Sequence, residues 1–238
     1  FITTSIQFSG KWSSLHTACL INDWVKVISL LDEGENIHLR SRLRLTPLHA
    51  ACIRRNKDVI FTLLERGADP NALDAHCNTP LHVLCMKDDP FLVKLLIRKG
   101  AQVNAMTLDG QSPLSYACRK GNYQTVRILI LHGASLNIRI ENGQTPLHKA
   151  CADCNVEVLT LMLMMRALLN IEDYSGRTAL HIACESGFEN IVTLLIKTGV
   201  LVNGRNLNGE TPLHLACRQG LDAIVRILLE TDVDMSAK

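Results

Sequence analysis

Apolar positions in this chain fall into two kinds of cluster that alternate from one end to the other. In the first kind a Thr or Ser precedes Leu, Ala and Cys spaced three and four apart, as in Leu48, Ala51 and Cys52. That spacing puts them on one helical face. The Thr or Ser is a good N-cap, and the Pro that often follows it suits the first helical position, where no backbone donor is lost. The second kind is denser, as in Val59, Ile60, Leu63 and Leu64, or Val225, Ile227, Leu228 and Leu229. Gly121, Gly187 or Gly220 makes a turn between the two, and Gly67, Gly100, Gly133 and Gly199 end the second in the left-handed conformation. Asp89-Pro90 reads as the cap and first residue of one second helix. Turn residues then follow, such as Asp109-Gly110, Asn142-Gly143, Asp173-Tyr174-Ser175-Gly176 and Asn208-Gly209. The pattern predicts pairs of short helices joined by tight hairpins.

The pairs repeat. Thr145-Pro146-Leu147-His148 recurs at Thr46-Pro47-Leu48-His49, Thr79-Pro80-Leu81-His82 and Thr211-Pro212-Leu213-His214. Looser copies stand at Ser13-Ser14-Leu15-His16, Ser112-Pro113-Leu114-Ser115 and Thr178-Ala179-Leu180-His181, so that seven copies follow at a constant step of 33 residues. A fixed period of this length marks a stacked-repeat architecture. The period and the T-P-L-H-x-A unit resemble the ankyrin-repeat family over residues 8–238. The resemblance implies an all-α solenoid of stacked helix pairs with protruding short β-hairpins, and a role in binding other proteins. The repeats are expected at 8–40, 41–73, 74–106, 107–139, 140–172, 173–205 and 206–238, after a leader at 1–7.

Departures from the repeat carry their own expectations. Repeat 5 has Arg166 in place of the helix-ending Gly and Cys154 in place of the turn Gly. A non-Gly residue there costs about 1–2 kcal/mol, so repeat 5 is expected to be the weak link unless its helix ends differently. Repeat 7 has Asp232 at the helix-ending position and lacks a polar outer face near its end. Repeat 1 lacks the Pro, has Asn22 for the turn Gly, and carries Trp12 and Trp24. The chain opens on Phe1 and stops at a repeat boundary, which points to a piece of a longer protein.

Charge changes the picture little in total and more in its distribution. The net charge is +2, too small to suggest a nucleic-acid or membrane binder. Residues 1–132 hold 16 Lys and Arg against 11 Asp and Glu, whereas residues 133–238 hold 9 against 12. A charged partner should prefer one end. Val158 to Ile171 is the longest apolar stretch, is 14 residues long and contains Arg166, too short to cross a bilayer. Seven of the nine cysteines share one repeat position. Stacked helices lie about 8–10 Å apart, whereas a disulfide needs Cα atoms within about 7 Å. They are expected to be buried thiols of a reducing compartment, the cytosol or nucleus.

Histidine is the main candidate for chemistry. Six of the nine (His16, His49, His82, His148, His181, His214) occupy one position of the first helix. Repetition fits a scaffold role, with the imidazole bonded back to the capping hydroxyl, better than one active site. His82 and Cys85 have a metal-compatible spacing, but that spacing recurs throughout. No phosphate-binding Gly loop or nucleophile motif is present. No catalytic group, metal, cofactor or small-molecule substrate is expected. Met162, Met164 and Met165 read as core plus helix flank, with a soft interaction patch as the alternative. The family resemblance also matches Asn71, Asn104, Asn137, Asn170 and Asn203 to hairpin asparagines that an oxygen-sensing asparaginyl hydroxylase modifies. Bonding to backbone is their commoner role.

Binding remains. Two residues after the repeated Cys the chain reads Ile21, Arg54, Lys87, Lys120, Asp153, Ser186 and Gln219, and one residue earlier Leu20, Ile53, Met86, Arg119, Ala152, Glu185 and Arg218. Three successive cations thus stand beside three successive apolar residues. Arg40, Arg42 and Arg44 add charge, and no acidic residue occurs from Leu39 to Lys57. The expected site is a concave groove over repeats 1–4. Leu20, Ile53 and Met86 would serve as anchors beside Trp12, Leu45 and Tyr116. Arg42, Arg44, Arg54, Lys87, Arg119 and Lys120 would steer the partner. The expected partner is a protein or peptide with acidic and apolar residues. A solvated basic face is the competing reading. Nucleic acid is disfavoured, since only two Trp, three Tyr and five Phe are spread over the chain. The resemblance leaves two wider contexts open: an adaptor that selects substrates for a cullin-type ubiquitin ligase, and the cytosolic domain of a membrane channel.

Overall fold

The computed structural model describes residues 12–231. The expected leader at 1–7 and Asp232 lie outside them. Among the described residues there are fourteen α-helices and no strand. The chain forms two compact units, residues 1–108 and 109–238. The first unit holds α1 (Ser14–Ile21), α2 (Trp24–Asp32), α3 (Pro47–Arg54), α4 (Lys57–Glu65), α5 (Pro80–Lys87) and α6 (Pro90–Arg98). The second holds α7 (Pro113–Arg119), α8 (Tyr123–Leu131), α9 (Pro146–Ala152), α10 (Val156–Met164), α11 (Ala179–Ser186), α12 (Glu189–Lys197), α13 (Pro212–Arg218) and α14 (Asp222–Leu229).

The helices start and stop where the local chemistry dictates. Thr46, Thr79 and Thr211 accept a hydrogen bond from the backbone of His49, His82 and His214, and Pro occupies the first turn behind each cap. Asp89 caps α6 by accepting from Leu92 N at 3.1 Å. In the first unit α1 packs on α3 and α3 on α5, with α2 against α4 behind them. The second unit repeats the plan, with α7, α9, α11 and α13 in one row and α8, α10, α12 and α14 in the other. Leu15, Leu48 and Leu81 are closed off in the first unit, as are Leu114, Leu147 and Leu180 in the second. No single pair encloses these residues; neighbours do.

The hairpins are tighter than the β-hairpins expected. Each closes on backbone bonds such as Asp74 N to Asn78 O at 3.0 Å and Asp173 N to Arg177 O at 2.8 Å. Within each unit a tip also reaches its neighbour, with Ala75 N on Leu43 O in the first and Leu207 N on Ser175 O in the second, both at 2.9 Å. With one such bond between neighbouring tips, no ladder forms. Gly176 is required here: at φ 74° a Cβ would lie 2.8 Å from Leu207 N. The repeated asparagines bind the following repeat. Asn71 Nδ2 donates to Gly100 O at 2.9 Å, and Asn137 and Asn170 accept from Leu168 N and Leu201 N at 2.9 and 3.0 Å.

Of the three methionines in α10 and its flank, Met162 is fully buried while Met164 and Met165 are exposed. The helix ends of repeat 5 follow the common geometry despite their sequence. Cys154 and Arg166 adopt φ of 55° and 61°, in the left-handed region that Gly133 and Gly199 occupy elsewhere. Strain of about 1–2 kcal/mol is therefore carried at each. Arg166→Gly should raise stability by about 1 kcal/mol, since relief of strain outweighs the added chain entropy of Gly. Urea unfolding measures it, and an unchanged or lowered midpoint would show that Arg166 is not strained.

Candidate functional site

Four of the repeated histidines hold neighbouring repeats together. Thr46, Thr145 and Thr178 each donate a backbone N–H to Nδ1 of His49, His148 and His181, at 3.2, 3.0 and 3.1 Å. An N–H can only donate, so Nδ1 is the acceptor. The opposite nitrogen, Nε2, faces a carbonyl of the next repeat: Leu45 for His16 at 2.8 Å, Asn78 for His49 at 3.1 Å, Arg177 for His148 at 3.1 Å and Glu210 for His181 at 3.2 Å. A carbonyl can only accept, so Nε2 carries the proton and the ring is neutral. Burial, the largest cause, pushes all four below the ordinary value of 6.5. Ser115 replaces the imidazole in repeat 4 and keeps only the cap, accepting from Ser112 N at 2.9 Å.

The thiols are equally structural. Cys19, Cys52, Cys85, Cys118, Cys151 and Cys184 are buried, and none of the nine cysteines forms a disulfide. Burial pushes Cys19, Cys151 and Cys184 up to about 12, far from the thiolate a nucleophile or metal ligand needs. Cys217 in α13 is exposed, unlike its repeat equivalents. No cluster of three metal-ligating side chains occurs among the described residues, and no helix there is long and apolar enough to cross a membrane.

In the first unit an open hollow of about 520 Å³ is lined by Asn22, Ile53, Arg54, Arg55, Met86 and Lys87. They sit at the C-terminal ends of α1, α3 and α5. Ile53 and Met86 are half-buried, and Arg54 and Arg55 are exposed. Among the described residues, Arg54, Arg55 and Lys87 form no ion pair. The lining contains no carboxylate.

Four of the residues expected at the site thus meet around one hollow. Others do not join them. Leu20 and Leu45 are 8% and 5% exposed, so they belong to the core and offer no free surface to a partner. Trp12 is half-buried and set edge-on to the His16 ring at 5.4 Å. Arg42 and Arg44 stand exposed on the first hairpin. Tyr116, Arg119 and Lys120 belong to the second unit, where the Arg119 guanidinium lies 5.3 Å from the Tyr116 ring. Asn22 and Arg55 were missed as lining residues. The signal was present, because both occupy the repeat position that is Gly121, Gly187 or Gly220 elsewhere.

The second unit has a hollow of about 370 Å³ among Tyr174, Arg177, Glu185, Leu207, Glu210 and Arg218. Its charges are already matched. Arg177 pairs with Asp173 and Glu185, both at 3.0 Å, and Arg218 pairs with Glu210.

Two family models match. "Ankyrin repeats (3 copies)" covers residues 59–140, 81–173, 131–204 and 163–238, and "Ankyrin repeats (many copies)" covers 30–84. The chain belongs to the ankyrin-repeat family. Its fold is the all-α ankyrin solenoid, a protein–protein interaction module, and domains of this kind are typically non-catalytic. Similar solved structures agree. The ankyrin repeat domain of Bcl-3, described as a unique member of the IkappaB protein family, is 29% identical with a TM-score of 0.80, over 91% of this chain and 99% of that one. The human ASB11 ankyrin repeat domain is 25% identical with a TM-score of 0.83, over 91% and 98%. No curated protein sequence matches the chain.

The lowered histidines have a consequence for stability. Between the folded value and the ordinary 6.5, the unfolded chain binds protons that His16, His49, His148 and His181 refuse in the fold. Stability is complete above pH 6.5 and falls as pH drops below it, by up to about 1.4 kcal/mol per pH unit for each ring. The thermal midpoint should be lower at pH 5.5 than at pH 7.5. Equal midpoints would contradict neutral, buried imidazoles.

Proposed function

We propose that this ankyrin module docks an acidic-plus-apolar segment of a partner protein on the first-helix ends of its first unit. One observation carries this reading: three cations and two apolar side chains surround a single hollow with no carboxylate to neutralise them. Ile53 and Met86 supply anchors that remain half-exposed in the free protein. Arg54, Arg55 and Lys87 supply charge that attracts and orients an acidic segment. Arg42 and Arg44 extend the same sign of charge onto the first hairpin. Rigid, capped helices hold these groups in place before binding, which keeps the ordering cost of association low. Buried thiols that form no disulfide favour a reducing compartment, the cytosol or nucleus. The ion-paired hollow of the second unit lacks comparable unneutralised charge, which favours the first unit as the site.

Selection from a random displayed-peptide library on the intact chain tests the reading. The recovered peptides should be rich in Asp and Glu next to apolar residues. Arg54→Glu with Lys87→Glu should abolish their binding and flatten its salt dependence, with the thermal midpoint nearly unchanged, because both side chains are free of folded-state partners. Recovery of neutral or basic peptides, or undiminished binding by the charge-reversed variant, would contradict it.

A further inference from the structure

Arg55 is one of four non-glycine residues at the turn position of the repeat. It ends α3 with φ 55°, in the left-handed region. The equivalent residues Asn22, Asp88 and Cys154 are left-handed as well, at φ of 65°, 52° and 55°, and Gly121, Gly187 and Gly220 adopt 70°, 79° and 66° with no side-chain penalty. Arginine at this position carries strain, yet its guanidinium makes no hydrogen bond or ion pair among the described residues. The turn is left-handed in every repeat, so what sets Arg55 apart is its side chain. Here it puts a guanidinium into the hollow beside Arg54 and Lys87.

From this cluster we infer that the hollow is a recognition pocket for one phosphorylated side chain, phosphoserine or phosphothreonine, in the docked partner. The inference rests on the docking reading above and names its central contact. Three unpaired cations exceed what one carboxylate can neutralise. A phosphoryl group brings about −1.5 to −2 charges at neutral pH and three acceptor oxygens. Two guanidiniums offer forked donors that match those oxygens in pairs, and Lys87 adds a point charge. Asn22, also left-handed at φ 65°, contributes an amide to the lining. Asp23 and Asp88 follow lining residues in sequence but are not in the lining, and the Asp23 carboxylate caps α2 by accepting from Lys26 N at 2.9 Å. Ile53 and Met86 flank the cations and fit an apolar residue next to the phosphorylated one.

Three synthetic peptide libraries with identical random flanks distinguish this from simpler acidic docking. One is fixed at its centre as phosphoserine, one as serine and one as glutamate. Each is passed over the immobilised intact chain, and affinities of recovered peptides are read by fluorescence anisotropy. The phosphoserine library should be retained and its best members should bind at least about tenfold more tightly than their serine and glutamate counterparts, the margin of one charge-assisted hydrogen bond. Arg55→Gly should remove that margin and also raise the thermal midpoint, because strain is relieved as the contact is lost. A purely structural arginine would not move the two readouts in opposite directions. Equal retention of the glutamate and phosphoserine libraries would overturn the phosphate inference while leaving the docking module intact. Full displacement of the phosphopeptide by a single-stranded RNA oligonucleotide would overturn it in favour of a nucleic-acid backbone. Failure of all three libraries to bind would sink the docking reading as well.

Discussion

One hydrogen bond recurs in both units of this molecule and ties neighbouring repeats together. The imidazole Nε2–H of a capping histidine donates to the carbonyl that immediately precedes the cap of the next repeat. His16 reaches Leu45, next to Thr46, and His49 in turn reaches Asn78, next to Thr79. In the second unit His148 reaches Arg177 and His181 reaches Glu210, which precede Thr178 and Thr211. Each bond is worth about 0.5–1.5 kcal/mol net, but leaving its buried carbonyl unpaired would cost about 1–3 kcal/mol. The cap, the helix start and the inter-repeat contact are therefore one device. Packing of Leu, Ala and Cys then closes the space that this device fixes.

That commitment explains where function can and cannot lie. The repeated Thr, His and Cys have both their polar and apolar capacity used inside the fold. Their neutral rings and protonated thiols suit a scaffold and not a reaction centre. Function falls to positions where the repeats differ. The two units differ in charge balance as well as in sequence. Around the hollow of the second unit, Arg177 and Arg218 are held by Asp173, Glu185 and Glu210. In the first, Arg54, Arg55 and Lys87 surround a hollow with no carboxylate. Exposed ion pairs add little stability, yet they neutralise charge that would otherwise draw a partner. The absence of such pairs distinguishes the first hollow.

Most of the fold was legible from the residues. A 33-residue step, a Thr cap, a Pro at the first position and Gly at helix ends specify each element by local chemistry, and those elements appear where they were expected. Asp89 capping α6 and the left-handed turn of Arg166 were both readable. The site was legible only in part. Register treats Leu20, Ile53 and Met86 as equivalents, yet Leu20 is buried while the other two remain half-exposed. Leu45 looked like an anchor beside the arginines of its hairpin, and it is core. Accessibility depends on which side chains surround a position, and a periodic pattern does not encode that. Arg55 was passed over for the opposite reason: its occupation of a glycine position carried the information.

The account stands on the neutral Nε2–H form of the bridging imidazoles. Long-range proton–nitrogen correlation of the histidine rings at pH 7 reads that form directly. For His16, His49, His148 and His181 the account predicts an unprotonated Nδ1 and a protonated Nε2. Rings protonated at Nδ1, or at both nitrogens, would contradict the bridge.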